Sequence, residues 1–224
     1  MKSKKASLLG VIAGSALVTT SPSAIIISQY VETNSGTTPK GIELWNTGAS
    51  TIDFSVDNLI VNKGVNGDPL EDDFTLTSGT MAPGEIIVIG TSDMGTYLDN
   101  TFGNGTQGSS PVQFFSKSFT FNGDDSLSIQ VGINTEDIFG TPGTDPGSSW
   151  SEFGVSTANQ NIGLNPGITT GSSGFTDPSI RFSTVSTDPS GENGLEGFGV
   201  APIPEPSIAL LGGLGLLALI RRRR

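Results

Sequence analysis

The chain contains no cysteine and no histidine. The first absence excludes a disulfide framework and thiol chemistry, although on its own it fixes no redox compartment. The second excludes Ser-His-Asp triads, imidazole general bases and the usual zinc sites. Basic residues are few and unevenly placed. Seven of the eleven lie at the extremes, as Lys2, Lys4, Lys5, Arg221, Arg222, Arg223 and Arg224. Between Ile25 and Ser207 only Lys40, Lys63, Lys117 and Arg181 stand against all 22 acidic residues, a formal balance of −18 (4 − 22). Such a surface repels phosphate backbones, which argues against nucleic acid as a partner. It suits solubility and would attract divalent cations.

Glycine (31) and proline (13) are plentiful, with many Ser, Thr and Asn residues. This composition suits a turn-rich, all-β protein and disfavours helices. No helical periodicity stands out between the ends, whereas period-two segments do. Ser126 to Val131 and Asp73 to Thr77 alternate strictly, and Ser179 to Val185 would place Ile180 and Phe182 on one face with Arg181 and Ser183 on the other. The apolar runs Ile25 to Ile27, Leu59 to Val61 and Ile86 to Ile89 read as more buried strands, and Gly41 to Asn46 as a strand with Ile42 and Leu44 inward. Turn-forming stretches punctuate them at Asn46-Thr47-Gly48, Asn66-Gly67-Asp68-Pro69, Ala82-Pro83-Gly84 and Asn122-Gly123-Asp124-Asp125. Longer polar loops are expected over 91–110 and 140–149. Roughly seven to nine short strands of this kind predict an antiparallel β-sandwich with Greek-key connections. No linker divides the body, so one domain is expected over 25–199.

The ends differ from the body, and an apolar helical segment is expected at each. Residues 1–24 place three lysines before an apolar stretch from Ala6 to Val18 and then small residues, the pattern of a secretory signal peptide. Cleavage after Ser21, Ser23 or Ala24 fits; an uncleaved anchor or a buried first helix is the alternative. At the other end, Ser207 to Ile220 are all apolar or small. As a helix these fourteen residues would cover roughly 21 Å of a hydrocarbon core about 30 Å thick, a transient span pinned on the cytoplasmic side by Arg221, Arg222, Arg223 and Arg224. Pro204 and Pro206 keep Pro204-Glu205-Pro206 extended just before that span, with Glu205 exposed.

The order Pro204-Glu205-Pro206-Ser207, an Ala/Leu/Gly run and then the cluster Arg221-Arg222-Arg223-Arg224 closely resembles the PEP-CTERM sorting signal, assigned here to residues 200–224. That resemblance implies recognition by an exosortase-type transpeptidase after passage through the secretion machinery of a Gram-negative bacterium. It also implies transient membrane insertion, removal of the tail and delivery to the cell surface or extracellular polysaccharide matrix. An ordinary single-span tail anchor is the alternative. Within the body, the ordered elements Ile27-Ser28-Gln29-Tyr30-Val31-Glu32, Ile42-Glu43-Leu44-Trp45-Asn46 and Phe121-Asn122-Gly123-Asp124-Asp125 resemble the lamin-tail domain of secreted bacterial proteins. This second resemblance runs from Ile25 to about Ile168 and more weakly to Gly199, and implies an immunoglobulin-like sandwich. Two features depart from it: no nuclease or phosphatase domain accompanies the body, and the −18 balance opposes the DNA contacts known for nuclear lamin tails.

Several residues invite a chemical reading. Asp124 and Asp125 could give oxygens to Ca²⁺, with Glu71, Asp72 and Asp73 from another loop; the simpler alternative is a turn whose aspartates bond nearby backbone N–H groups. Glu32 and Glu43 could form a carboxylate pair for general acid–base work, or be outward positions bonded to backbone or to Lys40. Trp45 and Trp150 could stack on sugars or pack in the core. Asn104-Gly105-Thr106 matches a glycosylation acceptor of little meaning in a bacterium. The expectation is therefore an exported, non-enzymatic structural or adhesive protein, with extracellular polysaccharide among its partners and no cofactor beyond that calcium option. The alternatives are an exported carbohydrate-active hydrolase using acidic residues alone, and an accessory module recruiting exported enzymes.

Overall fold

The computed structural model describes residues 25–33 and 38–202. The strands run β1 (Ile25–Val31), β2 (Gly41–Asn46), β3 (Ile52–Asp53), β4 (Leu59–Gly64), β5 (Glu71–Leu76), β6 (Thr80–Met81), β7 (Ile86–Gly90), β8 (Gln113–Ser116), β9 (Ser126–Val131), β10 (Asn134–Phe139), β11 (Ser151–Glu152), β12 (Val155–Ser156), β13 (Gln160–Leu164) and β14 (Phe182–Thr187). Among the described residues one α-helix, α1 (Ser92–Phe102), lies between β7 and β8. The chain is mostly β. A six-stranded sheet has the order β14-β13-β1-β2-β7-β8 and a four-stranded sheet the order β10-β9-β4-β5, with two small ladders besides.

The alternation in β9 places Leu127, Ile129 and Val131 in the core, where they meet Leu59 and Val61 of β4 and, from the larger sheet, Ile42, Leu44, Ile87 and Ile89. The two sheets thus close on one apolar layer. Aromatic rings tie its centre together. Phe139 of β10 stacks on Tyr30 of β1 at 4.4 Å and lies edge-on to Phe175 at 5.0 Å, while Tyr30 also stacks on Phe121 at 5.2 Å. Strand β1 carries a bulge between Ile27 and Gln29, so Ser28 is the extra residue against β2. The bulge re-phases the strand, so that Tyr30 faces this core and Val31 the opposite side.

The opposite face of the larger sheet is also covered. Met94 and Leu98 of α1 pack there on Val31 and Val88, joined by Leu195 and Phe198 from the chain's later course. Gly41 and Gly90 are register partners, and a Cβ on either would overlap the Met94 sulfur. Two adjacent glycines therefore make the hollow that seats the helix on the sheet. As a result every residue of β1, β2 and β7 is buried.

Three expectations need correction. The stretch 91–110 is not all loop: residues 92–102 form α1. Its apolar signal, Met94, Tyr97, Leu98 and Phe102 at helical spacing, is diluted by polar residues and Gly95, and its N-cap Thr91 makes no side-chain capping bond. The sandwich is not wholly antiparallel, because α1 is a crossover that returns β8 parallel to β7 at the sheet edge. Finally, Ser179 to Ile180 is not strand. Pro178 to Ile180 form a 3-10 turn opened by Asp177, whose carboxylate accepts the Ser179 N–H, and β14 begins only at Phe182. Ile180 is consequently 68% exposed, while Arg181 turns inward.

Deleting Phe139 should cost far more than deleting an exposed ring. Phe139→Ala should lose about 3–5 kcal/mol in urea unfolding. Phe153 is 86% exposed at φ 50, at the tip of the β11–β12 hairpin, so Phe153→Asn should leave stability unchanged or slightly raised.

Candidate functional site

The polar residues on the doubly covered strands cannot reach solvent, so each needs an internal partner. Just past β1, Glu32 is fully buried against Lys40. The Lys40 ammonium donates to Glu32 Oε1 at 2.6 Å and to the Phe121 carbonyl at 2.7 Å, and Glu32 Oε2 accepts the Asn159 N–H at 2.8 Å. A second pair joins the sheets. Arg181 Nη2 donates to both oxygens of Asp137 in β10, at 3.0 and 3.1 Å. Asp137 also accepts the N–H groups of Ile27 in β1 (2.8 Å) and Ser172 (2.7 Å). Lys117 pairs with Asp73 at 2.8 Å, and the body's remaining cation, Lys63, donates to Thr120. Three of the body's four basic residues are thus bound to carboxylates.

Glu43 is held differently, by neutral donors. Its Oε1 lies 2.7 Å from the Ser28 hydroxyl and its Oε2 accepts the Gly199 N–H at 2.7 Å. Burial pushes its carboxyl up to about 8, only partly offset by those two hydrogen bonds. Glu43 therefore fastens the segment around Gly199 to the sheet as a neutral acid. Around it, Gln29 donates to the Glu196 carbonyl, and Asn161 to the carbonyls of Gly194 and Glu196. Glu32 and Glu43 accordingly occupy separate hydrogen-bond networks. Neither is outward. Glu32 does bond Lys40, one of the partners expected for it.

Asp125 acts as a turn residue. Its oxygens accept the N–H groups of Asn122 and Asn66, both at 3.0 Å. Asp124 is buried with one oxygen unpartnered, and burial raises its carboxyl. Glu71, Asp72 and Asp73 lie apart, along edge strand β5, where Asp73 is held by Lys117. Among the described residues no group of three or more acidic side chains is placed to hold a metal ion. Trp45 and Trp150 are buried in the core, so neither presents a face to a sugar. Asn104 accepts the Thr106 N–H in the loop after α1.

Two cavities open elsewhere among the described residues, and no sequence motif marks either. The first, of about 730 Å³, lies between α1, the loop after it and edge strand β8, and includes Thr96, Asp99, Gln107, Phe114 and Ser116. Asp99 is turned into the loop, where the N–H groups of Ser110 (2.8 Å) and Gly108 (2.7 Å) hold its carboxyl below the ordinary range. The second, of about 910 Å³, lies between the β3 region and β10 and carries three acids, Asp53, Asp57 and Glu136. Hydrogen bonds from the Ser55 side chain and N–H lower Asp53, whereas partial burial raises Glu136. Such sites are assembled from segments distant in sequence; the nearest sequence signal is the polar run over 91–110.

The residues expected to direct export and sorting lie outside the described residues. They are Lys2, Lys4 and Lys5 of the leader, Pro204, Glu205 and Pro206 of the tail, and the cluster Arg221, Arg222, Arg223 and Arg224. The apolar segments expected as helices at both termini lie outside them too. Among the described residues no helix is long and apolar enough to cross a membrane. Comparison with protein-family models finds no match, and no curated protein matches the chain.

The raised Glu43 gives a pH signature. Its unfolded value is near 4.5 and its folded value about 8, so the folded state holds a proton that the unfolded state releases between them. The contribution is complete below pH 4.5 and is lost as pH rises towards 8, by up to about 1.4 kcal/mol per pH unit. Glu43→Gln, which keeps the neutral shape, should flatten that fall in unfolding measurements across this range. Lys40→Met should instead cost about 3–5 kcal/mol at neutral pH, because Glu32 would be left buried and unpaired.

Proposed function

We propose that this chain is an exported, non-enzymatic structural or adhesive protein of the cell surface or extracellular matrix of a Gram-negative bacterium. Its body is an immunoglobulin-like, lamin-tail-like sandwich, and residues 200–224 are a sorting signal read by an exosortase-type transpeptidase. The observation that carries this reading is the order of three parts in the tail: Pro204-Glu205-Pro206, the apolar run Ser207 to Ile220, and Arg221-Arg222-Arg223-Arg224. Two packed sheets with three of the body's four cations paired to carboxylates support it, since they leave an anionic, turn-rich surface suited to a hydrated matrix. Extracellular polysaccharide is the partner that such a surface would meet.

The second cavity favours a second reading, an exported hydrolase working with acids alone. Asp53, Asp57 and Glu136 line this one cavity, and such acids are the only groups that a hydrolase of this kind would use. Hydrolysis of polysaccharide by the purified chain, lost in Glu136→Gln, would establish it; no turnover would end it.

Sorting is tested by expressing the full chain with an exosortase in a Gram-negative host and weighing the mature protein. The wild type should lose the residues beyond the Pro-Glu-Pro segment and appear outside the inner membrane. Glu205→Ala, and replacement of Arg221, Arg222, Arg223 and Arg224 together by serine, should retain the tail. An untrimmed chain in the cytosol would overturn the proposal.

A further inference from the structure

The cavity beside α1 has a composition that specifies a ligand class. Its wall is built rather than incidental. The loop after α1 is tied down by Asp99 through the N–H groups of Gly108 and Ser110, by Ser109 N–H to the Thr106 carbonyl, and by Asn104 N–H to the Ser109 hydroxyl. These bonds occupy both oxygens of the Asp99 carboxylate, the one charged side chain among the lining residues. Among the described residues no lysine or arginine lines the space. The other polar residues lining it are uncharged: Ser92, Thr96, Gln107, Ser110 and Ser116.

The floor is apolar and partly aromatic, from Leu98, Val112 and Phe114. Phe114 is half-buried, and its ring lies against the helix at Gly95, where a Cβ would come within 2.6 Å of a ring carbon. A glycine in a helix interior costs about 1 kcal/mol relative to alanine. Here it admits a flat ring at the cavity floor. The volume falls within the ~300–1,000 Å³ of small-molecule sites.

A flat apolar face below and neutral hydroxyl and amide groups around it match the two sides of a sugar ring, its C–H face and its hydroxyl edge. An acidic sugar would find no cation among these lining residues, and would meet the field of a strongly acidic body. We infer that the cavity between α1, the loop after it and β8 binds a neutral sugar unit, stacked on Phe114 and hydrogen-bonded by Gln107, Thr96 and Ser116. The inference rests on the matrix reading above for its polysaccharide and adds the site and the charge class.

Isothermal titration of the full chain, kept in a zwitterionic detergent without a sugar headgroup, tests it. The probes are neutral trisaccharides of glucose, galactose and mannose, with a triuronate for comparison. At least one neutral trisaccharide should bind saturably, and the triuronate at least tenfold more weakly. Ser116→Trp, an exposed position whose new ring fills the space, should weaken neutral binding at least tenfold with the melting temperature kept. Phe114→Leu keeps the apolar floor but removes the flat ring, and should weaken it at least fivefold even if the tryptophan variant fails to fold. No binding across the neutral panel, a preference for the triuronate, or binding unchanged in both variants would overturn the inference. A null titration with normal tail removal refutes only this site, whereas a retained tail with normal titration refutes only the sorting.

Discussion

Burial of β1, β2 and β7 on both faces is the constraint from which the rest of the structure follows. A sheet covered on one side only can send every second residue to water. These three strands cannot, yet they carry Ser28, Gln29, Glu43 and Asn46, with Glu32 and Lys40 just beyond their ends. Each polar group must therefore be met from within. The bulge at Ser28 puts a hydroxyl beside Glu43, the Lys40 ammonium crosses to the Phe121 loop, and the Asn46 amide reaches the Ser50 and Met81 carbonyls. The segment from Gly194 to Gly199 is part of the same solution: Leu195 and Phe198 supply apolar cover while their neighbours' backbone groups satisfy Gln29, Asn161 and Glu43.

The same constraint explains which features are legible in the sequence. Alternation in Ser126 to Val131 and the runs at Ile25, Leu59 and Ile86 are local signals of a surface that packs, and they locate strands well. Asn66-Gly67, with both residues at positive φ, and the Asn122 to Asp125 turn are legible because turn chemistry is written into adjacent residues. What cannot be read depends on distant partners. Arg181 turns inward because Asp137, 44 positions away, is waiting in β10. That inward turn, together with the Pro178 turn, sends Ile180 outward against its hydrophobicity. Helix α1 is hidden for a related reason: only Met94 and Leu98 of its apolar residues are fully buried, and their hollow is cut by two glycines on other elements.

Charge placement follows from the same burial. Of the body's few cations, Lys40 and Arg181 are buried and Lys117 is held by Asp73, so most of the positive charge is used inside or along the flank of the fold. The acids are correspondingly free to occupy its borders. Edge strand β5 opens with Glu71, Asp72 and Asp73, and edge strand β10 carries Glu136. The like charges of Glu71 and Asp72 along the β5 edge oppose strand-to-strand association between copies, while the β10 edge is bridged at Ile138 by Ser173. A protein held at high local density would need that protection most.

An anionic shell also restricts what can adhere to it. An acidic polysaccharide approaching this surface meets repulsion at long range and finds few cations at contact, and screening at physiological salt weakens the first effect without supplying the second. A neutral glycan has no such penalty. For it, affinity must come from desolvated C–H surface and directional hydrogen bonds, and those are available only where the fold gathers hydroxyls around an aromatic face. Sequestering Lys40 and Arg181 thus does two things at once: it satisfies Glu32 and Asp137 inside the fold, and it leaves a surface poor in cations, so the site proposed beside α1 would have to recognise its sugar through uncharged groups.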